Sequence, residues 1–273
     1  MNQIDIEKIR DIGEKLSMEP EDLCQVCQAA KDLPGTVEEP SRELTGSQWM
    51  DAWKQLKKIL GPDEKGLRIL ACMLWAAVLT EEKYKTAGMP EDIFVETMKC
   101  FPRFIHEHKV SYGSFGFDRD FWTGRQLSLN LFRIGTLEYE KLIQQDGNRI
   151  SIHIPSDAVL TGENCRVSVA QARDFFEKYA PDFCQVPYIC QSWLLSPALK
   201  ALLPKDSHIL QFQEMFQILH RDEADTSFME WVFKKGDIPL KDLPENTTLQ
   251  RRMKAYLLQG GRVGEAFGVL KQD

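Results

Sequence analysis

The stretch that most constrains this chain is TLEYEKLIQQDGNRISIHIP, residues 136–155. Two runs of alternating apolar and polar residues, 136–143 and 149–155, flank an Asp146-Gly147 pair. A period of two is the pattern of a strand with one buried face, and Asp-Gly supplies the left-handed backbone of a tight hairpin turn. The continuation, SDAVLTGENCRVSVAQARDFFEKY, reads as a loop over 156–167 and a helix over 168–179, because Ser168 and Gln171 stand at capping-box spacing. An apolar, β-favouring run follows at 186–195. A helix between the strands 149–155 and 187–195 predicts a right-handed parallel crossover. Pro197 and Ser207 then open two short helices, 227–235 reads as a strand, 247–261 as a capped helix and 262–272 as a closing strand.

The first 110 residues follow a helical period. Ile4, Ile6, Ile9, Ile12 and Leu16 form one stripe, and Trp49, Trp53, Leu56, Ile59 and Leu60 form another. Pro20 is placed to start a helix, and Pro34-Gly35 to stop it. The helix over 89–110 is expected to break at Pro102. Residues 118–133 read as a last helix stopped by Gly135, with the domain junction at 117/118. The apolar run 67–79 contains Arg68 and is shorter than the roughly 20 residues a bilayer needs, so it reads as a core helix and no membrane partner is expected. Thirty-four basic residues against 41 acidic ones give a net charge of -7, which disfavours nucleic acid as a partner. The charged opening MNQIDIEKIRDIGEKL has no apolar signal core, and the seven cysteines are scattered; both point to the cytoplasm. Cys24-x-x-Cys27 sits inside a helical pattern with no second pair at ligand spacing, so no metal is expected.

The element order of the second half resembles the later part of the GNAT (acyl-CoA N-acyltransferase) fold. The segments HIPSDAVLT, ARDFFEKYAP, CQSWLL and LPKDSHILQF are similar to the GNAT-like C-terminal domain of bacterial acyltransferase domain-containing proteins, in which a helical N-acyltransferase N-terminal domain comes first. The fold class expected is therefore mixed α/β (α+β): an all-helical domain over 1–117, then a GNAT-like mixed sheet flanked by helices over 118–273. The resemblance implies that the strands 149–155 and 187–195 splay apart to admit acyl-CoA (acetyl-CoA among others). It also implies that a turn and helix N-terminus at about 162–170 hold the pyrophosphate. On that basis Ile154, Gly162, Arg166, Val167, Ser168 and Trp193 are the expected cofactor contacts. The family's glycine-rich phosphate turn is reduced here to Gly162, and the tyrosine usual in the helix after the second central strand is absent from SHILQFQEMF.

Acyl transfer from a thioester to an amine needs a base for the amine proton and a proton for the leaving thiolate. His153, on the strand face opposite Ile150, Ile152 and Ile154, reads as the base or as a structural histidine. Cys190, with Ser192 on the same face, reads as a nucleophile beside that base or as a buried core thiol. Glu138 reads as a carboxylate acting on the acceptor through water or as one on a solvated face, and His208 as a general acid or a helix-start residue. The leading expectation is direct acyl transfer from acyl-CoA to a small-molecule amine acceptor. The rival is a GNAT-derived binding or regulatory module without catalysis, favoured by the reduced phosphate turn and the missing tyrosine.

Overall fold

In a computed structural model, which describes residues 4–234 and 238–271, the chain divides after Arg133 into two compact units. Met1–Gln3 and the ends of two expected strands, at Lys235 and Gln272, lie outside the described residues.

The first unit is built from α1 (Ile6–Lys15), α2 (Pro20–Lys31), α3 (Glu38–Glu43), α4 (Trp49–Leu60), α5 (Leu67–Thr86), α6 (Glu91–Met98), α7 (Cys100–Tyr112) and α8 (Asp120–Leu127). Helix α5 is apolar nearly all round, and residues 69–77 are all buried. A helix of that kind belongs at a core centre. The break expected at Pro102 falls earlier, at Lys99, and Pro102 sits in the first turn of α7, where its missing N–H costs nothing.

The junction lies later than the expected 117/118, because α8 is fastened to its own helical neighbours. Asp120 accepts from Trp53 Nε1 at 3.0 Å and pairs with Lys57 at 2.8 Å. Thr80 Oγ1 donates to the Leu127 carbonyl at 2.8 Å. The helix expected to reach residue 133 ends at Leu127, because Leu129 turns left-handed at φ +57° and the Asn130 N–H returns to the Arg125 carbonyl. The β-favouring Leu131–Ile134 that follows is a strand, β1.

The second unit adds β2 (Leu137–Leu142), β3 (Arg149–His153), α9 (Gly162–Tyr179), β4 (Tyr188–Ser192), α10 (Leu199–Leu202), α11 (His208–Glu214), β5 (Phe216–Asp222), α12 (Phe228–Phe233), α13 (Thr248–Leu258) and β6 (Glu265–Leu270). The six-stranded sheet runs in the order β1-β2-β3-β4-β6-β5. The pairs β2–β3, β4–β6 and β5–β6 are antiparallel; β3–β4, joined through α9, is parallel as expected. One face of the sheet carries Tyr139, Ile150, Ile152 and Tyr188, all buried, with the rings of Tyr139 and Tyr188 against Phe176 of α9. A second apolar cluster, Leu199, Leu202, Phe228, Phe233 and Met253, holds α10, α12 and α13 together.

One expected strand changes type and one helix changes its start. Residues 228–233 form a helix, because Phe228, Met229 and Phe233 recur at helical spacing and all three enter that second cluster. Helix α9 starts six residues before Ser168. Thr161 is its N-cap, accepting from the Asn164 N–H at 3.2 Å, and the expected capping box does not form. Ser168 lies fully buried in the body of the helix. Its hydroxyl donates to the Ile134 carbonyl at 2.5 Å and accepts from the Leu137 N–H at 3.3 Å, with the Tyr139 hydroxyl 2.8 Å away. A capping box does form where α13 begins, between Thr247 and Gln250.

Candidate active site

Strands β3 and β4 pair over two positions only, Ile150 with Tyr188 and Ser151 with Ile189. Beyond them no further pair joins among the described residues, although both strands continue, to His153 and Ser192. The one parallel pair of the sheet therefore opens toward its C-terminal end. In open α/β sheets that end is where ligands enter.

Period-two alternation divides the residues around this opening between two faces. Glu138 lies opposite His153 and Glu140 opposite Ser151 in the β2–β3 ladder, so these four share one face. The register places Ile189 and Gln191 on that face as well. His153 Nε2 lies 2.8 Å from Glu140 Oε2, and Glu138 and Glu140 are 3% and 8% exposed. A carboxylate that accepts from a ring N–H fixes the tautomer and stabilises the imidazolium once a proton is taken. The reading of Glu138 as one of a solvated row is thus corrected, and Glu140 is the partner of His153 that single-strand alternation did not single out. The signal lay in the hairpin register, which sets residues 140 and 153 diagonally across the ladder.

Cys190 is on the other face, in line with Tyr188, and is fully buried. Burial, and secondarily the charge of Glu265, pushes its thiol pKa upward, away from the thiolate a nucleophile needs. A Cys190–His153 couple is excluded by this geometry. Ser192 is also committed elsewhere: its hydroxyl accepts the Leu194 N–H at 3.1 Å and caps the short 3₁₀ turn Trp193–Leu195. Trp193 packs half-buried against the α10–α13 cluster, and His208 is exposed at the first turn of α11.

The start of α9 lies beside α11. The Gly162 N–H donates to Gln211 Oε1 at 3.2 Å. A Cβ at Gly162 would stand 3.3 Å from Arg166 Nη1, the far end of a flexible side chain. Between the two helices runs a cavity of about 670 Å³ lined by residues that include Gly162, Arg166, Arg173, Gln211 and Lys271. Neither Arg166 nor Arg173 forms an ion pair among the described residues. The Gly162 and Asn164 N–H groups are engaged by Gln211 and Thr161, so it is the positive end of the dipole, with Arg166 beside it, that suits this end of α9 to an anion. Of the expected cofactor contacts, Gly162 and Arg166 line this cavity, and Ile154, directly after β3, does not. Ser168, tied up inside the fold, and Val167, an exposed residue in the second turn of α9, do not. The expected long loop shrinks to residues 154–161, so Gly162 stands at the helix start, where a phosphate turn belongs. The turn still carries the single glycine Gly162.

A mixed sheet with a parallel pair that parts toward its C-terminal end, and a cationic groove at the start of the helix joining those two strands, is the layout of a GNAT-like acyltransferase. Residues 127–270 match the family described as the GNAT-like C-terminal domain, and residues 1–129 the N-acyltransferase N-terminal domain. The chain belongs to the GNAT-like C-terminal domain family. Among solved structures it is similar to an acyltransferase in complex with decanoyl-CoA. The two are 25% identical with a TM-score of 0.80, over 97% of this chain and 87% of the other. A second similar structure, of an acyltransferase with decanoyl-CoA and teicoplanin, is 23% identical with a TM-score of 0.80, over 98% and 88%. No curated protein matches the chain. No helix among the described residues is long and apolar enough to cross a membrane, and no cluster there has three groups able to hold a metal ion.

Proposed function

We propose that this protein moves an acyl group from acyl-CoA to the amine of a small-molecule acceptor by direct attack. The observation that carries the reading is the His153–Glu140 pair at the opening of β3 and β4, on the same strand that leads into the anion-binding start of α9. The similarity to an acyltransferase solved with decanoyl-CoA supports acyl-CoA as the donor and extends the donors to test beyond acetyl-CoA.

The residues fit the donor. The positive end of α9 and the Arg166 guanidinium suit a pyrophosphate, and the backbone of the parting strands suits the amides of the pantetheine arm. The amine nitrogen attacks the thioester carbonyl carbon; the C–N bond forms and the C–S bond breaks. His153 takes the proton lost by the amine, and Glu140 stabilises the imidazolium. Sulfur leaves with its electron pair as the CoA thiolate, a stable leaving group near neutral pH. Glu138, beside His153, attracts a cationic acceptor to the same face. No covalent enzyme intermediate is required.

The test is release of free thiol from acetyl-, octanoyl- and decanoyl-CoA across a panel of small amines, alongside thermal denaturation with each donor. A donor at a hundred times its dissociation constant raises stability by about 2.7 kcal/mol. His153→Ala should lower kcat by about a hundredfold or more, the usual scale of general-base catalysis, and leave that stabilisation intact. Glu140→Gln should lower kcat less than His153→Ala does. Stabilisation by no acyl-CoA, or full turnover in His153→Ala, would refute the reading.

A further inference from the structure

The groove between α9 and α11 extends well past the helix start. Arg166 and Arg173 are seven residues apart on α9, about 10 Å along the axis and on one face. Between them the wall is small and apolar, Val169 and Ala170, and the chain end beyond β6 closes the far side with Lys271. Lys271 is held in place: its N–H donates to the Met215 carbonyl at 2.9 Å and its ammonium to the Glu214 carbonyl at 2.7 Å. Several cations elsewhere in this acidic chain are neutralised, as in Lys109–Asp22, Arg149–Asp146 and Lys254–Glu245. The groove's two carboxylates, Glu163 and Glu214, pair with neither arginine. The layout is an anion site, an apolar stretch and a second cationic site.

We propose that Arg173 and Lys271 bind a second phosphate, the 3′-phosphate on the ribose of CoA, so that this groove selects CoA over dephospho-CoA. The inference rests on acyl-CoA being the donor and adds which part of it is read. One phosphate group would use only the α9 start and Arg166. A ligand with two phosphates on either side of a nucleoside uses both ends and lays the nucleoside along Val169 and Ala170. Half-buried Arg173 supplies a planar two-pronged donor, and Lys271 supplies a point charge.

The test is calorimetric titration of the native protein with CoA, dephospho-CoA and adenosine 3′,5′-bisphosphate, repeated on Arg173→Gln and Arg173→Lys. The native protein should bind CoA at least tenfold more tightly than dephospho-CoA, a difference of about 1.4 kcal/mol, and should bind the bisphosphate alone. Arg173→Gln should lose that preference by weakening CoA and not dephospho-CoA. Arg173→Lys should keep most of the preference, which separates lost charge from a disturbed fold. Equal affinity of the native protein for the two nucleotides would overturn this inference and leave acyl transfer from CoA standing, as would an equal loss for both in Arg173→Gln. Binding of neither by the native protein would overturn both.

Discussion

Replacing Ser168 separates a scaffold role from a ligand role at a position whose sequence suggests either. Its hydroxyl is fully buried and makes three contacts: it donates to the Ile134 carbonyl and receives the Leu137 N–H and the Tyr139 hydroxyl. Ser168→Ala strands two donors and one acceptor in the core. Each stranded buried donor costs about 1–3 kcal/mol, and a carbonyl with a second lone pair costs less. The sum, allowing for non-additivity among neighbours, is about 3 kcal/mol. For a unit of this size that lowers Tm by roughly 10 °C. Urea denaturation followed by tryptophan fluorescence gives the free energy, and the KM for acyl-CoA gives the ligand side, which should stay within about twofold. The partner variant Tyr139→Phe removes one of the same contacts, so the double variant should cost about 1 kcal/mol less than the two singles added. A loss below about 1 kcal/mol combined with a raised KM would show that the hydroxyl serves the ligand and that its place in the core is misread.

Three other outcomes follow from the same geometry. Cys190→Ala should leave kcat within about threefold of native at matched folded fraction, because the thiol faces away from His153; a hundredfold loss in a folded variant would restore a covalent route. Gly264→Ala should lower stability by about 2–3 kcal/mol in a melting experiment, since Gly264 has φ +60° and an added Cβ would stand 2.2 Å from the Asp222 carbonyl oxygen; an unchanged Tm would refute the fixed turn into β6. Stability should be flat up to about pH 8 and fall as pH rises from about 9 toward 12. Burial pushes Cys165 to about 11, and Cys72 and Tyr188 to about 12, so the unfolded chain binds fewer protons over that window and the slope with pH is negative. Stability that held to pH 12 would contradict the burial of these groups.

The parts of this fold legible in the sequence were those set by local period and turn chemistry. The hairpin, the parallel crossover and the α13 capping box each rest on residues close together in the chain. What was missed depends on distant partners. Ser168 and Gln171 have the right spacing for a cap, but Thr161 offers one seven residues earlier, and the buried ends of β1 and β2 take the Ser168 hydroxyl. Residues 228–233 are β-favouring in composition, and it is the cluster with Leu199, Leu202 and Met253 that rewards a helix. β1 was hidden because Leu129, a residue that rarely turns left-handed, ends the helix before it.

The candidate site was legible in proportion to how far each assignment depended on register. His153 stands out within one strand, as a polar ring opposite isoleucines. Its partner cannot be chosen from that strand, because Glu138 and Glu140 have the same parity; the Glu138–His153 pairing makes Glu140 the diagonal neighbour, and that is where Nε2 makes its contact. For Cys190 the deciding fact is the parity between β3 and β4. A register with Ser151 opposite Tyr188 would have put the thiol on the histidine's face. The observed pairing of Ile150 with Tyr188 turns Cys190 toward the core and Gln191 toward His153. Tyr188 packs its ring against Tyr139 and Phe176, so the aromatic core that fixes this register also keeps the thiol off the face of His153, which is why the proposed route is direct attack on the thioester and not an acyl-cysteine.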